Sequence, residues 1–155
     1  MKNKSENVSF GRYGKSFQEG LVQLIFDDRP FADQITEVLD INFLELEYLR
    51  VFVNKIIEYR KKYGMHPSGD AVTTMLNTDL EKENEVIQRQ VREYFRRIQY
   101  NELSDIEYIK EQSLDFCRKQ NLKKAMMKSV ALLQTCSFDE ISKTINDALK
   151  LGSDN

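Results

Sequence analysis

The chain has 155 residues, enough for one ordinary domain with a substantial core, and a formal net charge of −2. That balance argues against a dedicated nucleic-acid module, although a local basic face is still allowed. Two prolines, six glycines, no tryptophan and no alternating apolar–polar stretches predict helix throughout, hence an all-α fold. The cysteines Cys117 and Cys136 lie far apart with no secretory signal before them, which suits a reducing cytoplasm rather than a disulfide framework. No apolar run approaches the length of a membrane span.

Residues 1–15 are expected to form a flexible, mildly basic arm carrying Lys2, Lys4, Arg12 and Lys15. At its end, Gly14-Lys15-Ser16 matches the last three letters of the phosphate-binding loop G-x-x-x-x-G-K-[ST]. The first glycine of that loop would fall at Ser9, and the polar MKNKSENV before it is no core strand, so a nucleotide site is not expected. Ser16-Phe17-Gln18-Glu19 reads instead as a capping box that starts a helix over about 16–27, with Phe17, Leu21, Leu24 and Ile25 on its apolar face.

Pro30 fits the first turn of a second helix, with Asp28 as a candidate cap and Phe31, Ile35 and Leu39 buried. A third helix over about 44–63 is apolar nearly all round and belongs at the centre of a bundle, with Lys61 and Lys62 in its last turn and Gly64 as its stop. Pro67 and Ser68 open a short helix carrying Val72 and Leu76. Three further capping boxes begin at Thr78, Ser104 and Ser137. The first predicts a helix to about 100 with Val86, Val91, Phe95 and Ile98 inside. The second predicts a long helix to 133 or 134, and the third a last helix to about 151 ended by Gly152. The expected organisation is an arm over 1–15, a helical bundle over 16–103, a long helix and hairpin over 104–151, and the start of a linker over 152–155.

Little of this assembles into chemistry. His66 is the only histidine and precedes a proline in a turn, so neither a metal site nor a cofactor is expected. Cys117 and Cys136 sit at apolar helical or helix-end positions, as buried small hydrophobes do. Arg89, Arg92 and Arg96 form one helical stripe beside Arg97, a conceivable phosphate-contacting face, but Glu85 and Glu93 are interleaved with them, as on a solvated surface. No general acid, base and nucleophile come together, so no catalytic residue is predicted.

The last two helices are the informative ones. Leu122, Met126, Val130 and Leu133 make one apolar row on the first arm, widened by Ala125, Ala131 and Leu132; Phe138, Ile141, Ile145, Ala148 and Leu149 make another on the second. A two-helix hairpin uses one face per arm for itself, leaving flanking apolar residues either for the first five helices or for a partner. The candidate self-association residues are Leu122, Met126, Val130, Leu133, Ile141, Ile145 and Leu149.

At this hairpin the order of elements resembles the N-terminal domain of replicative hexameric DNA helicases of the DnaB type, most closely those of tailed phages. The similarity runs over residues 16–155. It is carried by LVQLIFDDRPFADQITEVLDINFL, VNKIIEYRKKYGMHPSGDAVTTML, YIKEQSLDFCRKQNLKKAMMKSVALL and FDEISKTINDALKLGSDN. The resemblance implies a non-enzymatic collar domain whose hairpins pair into dimers within a hexamer and whose surface docks a primase, with unwinding and ATP hydrolysis in a separate motor domain. Because the sequence stops at GSDN, the expectation is either a fragment of a helicase or a free-standing protein that kept only the collar. The expected compartment is the cytoplasm, that of the bacterial host if the chain is phage-encoded. The alternative reading is a free-standing helical adaptor or inhibitor of a replication protein; a nucleic-acid binder using the arginine stripe is the third.

Overall fold

The computed structural model describes residues 8–135 and 137–153, and among them the regular structure is helical with no strand. Seven α-helices follow one another: α1 (Gly14–Asp27), α2 (Arg29–Ile35), α3 (Glu47–Tyr63), α4 (Gly69–Thr78), α5 (Glu85–Ile98), α6 (Ile106–Leu132) and α7 (Phe138–Lys150). The first five, with the first half of α6, make a head; the rest of α6 and α7 make an antiparallel hairpin.

The head is organised on α3, whose Leu49, Phe52, Val53 and Ile56 are fully buried, as its nearly all-round apolar sequence requires. Phe52 meets Phe26 from α1 and Tyr94 and Phe95 from α5, mostly edge to face, the arrangement that ring quadrupoles favour. The stop of α3 is Gly64, left-handed at φ 67°, whose N–H returns to the Arg60 carbonyl. Asp28 caps α2 by accepting from the Phe31 amide at 3.0 Å, with Pro30 in the first turn. Ser68 caps α4 by accepting from Ala71 N at 3.1 Å.

The start of the chain departs from expectation. Residues 8–15 are not a flexible arm: Phe10 is fully buried, 4.5 Å from Phe116 of α6, and its N–H donates to the Phe43 carbonyl at 2.7 Å. Residues 1–7, with Lys2 and Lys4, lie outside the described residues. A 3-10 turn, Gly11–Tyr13, leads directly into α1, so Ser16 lies inside the helix rather than at its cap. Gln18 takes the tying role: its side-chain amide donates to the carbonyls of Phe10 and Gly14 and accepts from Glu45 N at 2.8 Å.

The three other predicted boxes also fail in detail. Thr78 closes α4, its hydroxyl donating back to the Thr74 carbonyl, and α5 is instead capped by Asn84, which accepts from Ile87 N at 2.9 Å. That later start turns Ile87 inward and leaves Val86 54% exposed. At α6, Asp105 takes the cap position in a left-handed conformation with no side-chain cap bond. Ser137 precedes α7, again without a side-chain cap bond, its hydroxyl 2.6 Å from that of Thr135.

Candidate interaction surface

The two halves of α6 have opposite surroundings. Over its first half, Ile109, Ser113 and Cys117 are buried in the head, and Asn121 then donates to the Val38 carbonyl at 2.8 Å. Burial among apolar side chains pushes the Cys117 thiol up to about 12, as suits a packing residue rather than a nucleophile. Cys136 lies outside the described residues. Beyond Asn121 the helix leaves the head and packs on α7.

The seam between α6 and α7 is centred, on the α6 side, on small residues. Ala125 and Ser129 are the buried positions of the α6 arm, Ser129 returning its hydroxyl to the Ala125 carbonyl at 2.8 Å. Leu132, Ile141, Thr144, Ile145 and Ala148 are half-buried around them. The large residues point elsewhere: Met126 is 56% exposed, Val130 65%, Leu133 55%, Phe138 68% and Leu149 50%.

Helical phase shows where they point. Cys117 and Met126 are nine residues apart, which at about 100° per residue is half a revolution, so the row Met126, Val130, Leu133 looks away from the head. The same arithmetic puts that row about a quarter-turn from the Ala125–Ser129 seam. Phe138 and Leu149 stand a similar quarter-turn from the α7 seam. Because the two helices run in opposite directions, both quarter-turns lead to the same side of the hairpin. The other side carries Lys128, Glu140, Lys143 and Asp147 around one shallow groove, with a Lys143–Asp147 ion pair at 3.0 Å. The hairpin thus has a charged face and a face of large apolar side chains, interrupted on α7 by Ser142 and Asn146, whose side chains are 3.3 Å apart.

Of the seven sequence-derived residues, Met126, Val130, Leu133 and Leu149 lie on the apolar face and are exposed, whereas Leu122, Ile141 and Ile145 are half-buried at its border with the seam. Phe138, whose side chain is the most exposed of the set, was in the α7 row but outside the candidate interface.

Arg89, Arg92 and Arg96 do share one face of α5, around a groove with Glu85, Gln88 and Glu93. Arg92 donates through Nε to the Leu76 carbonyl at 3.2 Å, and Arg96 grips Glu93 at 2.5 Å. The stripe is a mixed-charge surface on which Arg92 and Arg96 are engaged within the chain. Arg97 forks onto Glu19 with two bonds of 3.0 Å, while Tyr48 donates to the same carboxylate. Burial alone would raise the Glu19 pKa, but the hydrogen bonds from Arg97 and Tyr48 outweigh it and hold it below the usual value. This cluster, with Tyr94 donating to the Glu19 carbonyl at 2.5 Å, ties α1, α3 and α5 together and forms one wall of a groove of about 800 Å³.

His66 is half-buried rather than a surface turn residue. Arg60 Nη1 lies 2.8 Å from Nδ1, and arginine only donates, so Nδ1 accepts and the Nε2 proton goes to the Phe26 carbonyl at 2.7 Å. The ring is a clamp between the α3 end and α1. Among the described residues no three His, Cys, Asp or Glu side chains are grouped to hold a metal ion, and no helix is long and apolar enough to cross a membrane. No family model, curated protein or solved structure matches the chain.

Proposed function

We propose that the chain is a non-enzymatic assembly and partner-docking domain, of the kind represented by the N-terminal collar of DnaB-type replicative helicases, and that it self-associates through its hairpin. One observation carries the proposal: the large apolar side chains of the hairpin are half to two-thirds exposed and face away from the only head the chain has described. Burying such a face is the ordinary use of a contiguous apolar patch. Fully burying one large aliphatic side chain contributes roughly 1.5–3 kcal/mol, and those half-exposed here would add a fraction of that each. Several in one patch offset association costs enough for a dimer at micromolar concentration. In the resembling family, hairpins pair into dimers, three dimers complete the collar, and the collar docks the primase. The head would then serve a primase or another replisome partner here. Unwinding and ATP hydrolysis, which in that family reside in a separate motor domain, are not attributed to these residues.

Light scattering over a concentration series tests the proposal, with Val130→Glu as the variant. A glutamate at the centre of the face would have to be desolvated on association, so the dimer should be lost. Because Val130 touches solvent rather than the head, circular dichroism and thermal stability should be unchanged. A wild-type chain that stays monomeric at high concentration would contradict the proposal and favour the monomeric adaptor.

A further inference from the structure

The groove walled by the Glu19 cluster lies where the end of α5, the connection 99–105 and the first turn of α6 face α1. Reciprocal amide bonds hold it in shape. Gln23 donates to the Asn101 carbonyl at 2.9 Å, and the Asn101 side chain donates back to Gln23 Oε1 at 2.9 Å. Gln23 also reaches the Ile98 carbonyl at 3.4 Å. Phe17, Ile98, Leu103 and Ile109 supply the apolar lining, all of them buried or half-buried. A site built this way is preformed, so a ligand entering it leaves little of the protein to be ordered.

Four side chains on this groove have no partner among the described residues. Tyr100 is 86% exposed and Tyr108 60%, and neither makes a ring contact or a hydrogen bond through its side chain. Rigid rings with one apolar and one polar end are what protein interfaces are enriched in. Glu102 and Asp105 are exposed and form neither an ion pair nor a side-chain hydrogen bond. Asp105 enters α6 at φ 58°, the one positive value outside glycine among the described residues. Aspartate is tolerated there partly because its side chain can bond locally, and here it makes no such bond.

The other charges are already matched. Arg97 is forked onto Glu19, and Arg96 onto Glu93. Adding Lys15, one turn before Glu19, the surroundings set Lys15, Arg96 and Arg97 against Glu19, Glu93, Glu102 and Asp105. The uncommitted charge is therefore negative, which repels phosphate and draws in a basic side chain. An arginine or lysine held there would also meet tyrosine faces, which attract cations.

Resting on the partner-docking half of the reading above, we propose that this groove takes a segment of a partner protein in which an arginine or lysine is flanked by apolar side chains. The cation sits among Glu102, Asp105, Tyr100 and Tyr108, and the apolar flanks lie on Phe17, Leu103 and Ile109.

Amide correlation spectra of the full chain at low salt test this, with the blocked peptide Leu-Arg-Leu-Leu-Arg-Leu as probe. Shifts should cluster at 16–23 and 97–109, and should be the same in Val130→Glu, whose hairpin face carries a charge. Replacing both arginines of the probe by glutamate should weaken binding at least about tenfold. Glu102→Gln with Asp105→Asn should weaken it about five- to tenfold, and Tyr100→Ala with Tyr108→Ala by a similar factor. Neither pair is engaged in the fold, so thermal melting should be unchanged in both. Single-stranded oligothymidylate should leave these amides unmoved. A basic probe that does not bind, an acidic probe that binds as well, or shifts confined to the hairpin would overturn the proposal. So would paired variants without effect, or saturable oligothymidylate binding at these residues. Light scattering separates this from self-association: a dimer that ignores the peptide sinks the groove and leaves the hairpin reading, whereas a monomer that binds it does the reverse.

Discussion

The first half of α6 presents Ile109, Ser113 and Cys117 to the head, and all three are buried; the second half presents Met126, Val130 and Leu133 to water. The same helix is therefore finished at one end and unfinished at the other. The head closes a core around α3, leaves single large side chains such as Val86 and Tyr100 exposed at its surface, and satisfies its buried polar side chains with bonds such as those of Gln18 and Gln23. The hairpin buries the small Ala125 and Ser129 at its seam, half-buries Leu132, Ile141 and Ile145 beside them, and leaves Met126, Val130, Leu133, Phe138 and Leu149 outside. These exposed large residues are the observation on which the proposed self-association rests.

The sharpest way to break the comparison is to damage each region separately. Phe52→Ala should cost the head about 3–5 kcal/mol, through the lost burial and the cavity left among Phe26, Tyr94 and Phe95. Thermal unfolding followed by circular dichroism reads this directly, and a loss below about 1 kcal/mol would show that the head core is less closely packed than described.

A smaller effect is expected where the two regions join. Gly152 is buried at φ 73°, donating to Glu37 at 2.9 Å and accepting from Gln34 at 2.8 Å, and an added Cβ would sit 3.1 Å from Val38 and 3.2 Å from Arg118. Gly152→Ala should cost about 1–2 kcal/mol locally, through the left-handed backbone and the crowding. Hydrogen exchange should quicken at 149–153 while the amides of α3 keep their protection. Equal loosening of both would mean that the hairpin and head unfold as one unit.

The smallest effect concerns pH. Glu19 has a lowered pKa in the folded head, so its stabilising contribution is present above the ordinary carboxylate range and is lost as pH falls through the lowered value. Glu19→Gln should therefore reduce stability by about 1 kcal/mol at neutral pH and flatten the acid limb of the stability profile. Thermal melts between neutral and acid pH check both points. An acid limb identical to wild type would show that other carboxylates control it.

Much of the head was legible because its signals are local. Asp28 before Pro30, Ser68 before α4 and Gly64 after the basic last turn of α3 each act on their own helix end, and each does what its residue type predicts. The box at Ser16 misled because a tertiary contact moved the helix start, and that at Thr78 because a second local cap lay further along. Burial of Phe10 pulled α1 back to Gly14, and the Asn84 cap delayed α5, shifting the inward residue from Val86 to Ile87. In the hairpin, two adjacent rows on α6 were both apolar enough to face α7. Periodicity alone could not choose between Leu122-Met126-Val130-Leu133 and the smaller Ala125-Ser129-Leu132; close approach of the two helices selects the small row.

Met126 and Met127 provide an internal control for the central claim, that the apolar face is covered by a second copy. Both are more than half exposed in the single chain, but Met126 stands on the apolar face, whereas Met127 lines a groove with Phe43 and Lys124 on the side toward the head. Brief, low-dose peroxide labelling read by mass spectrometry at rising protein concentration compares them in one sample. The account predicts that labelling of Met126 falls as concentration rises while that of Met127 changes little. Equal labelling of the two at every concentration would contradict it.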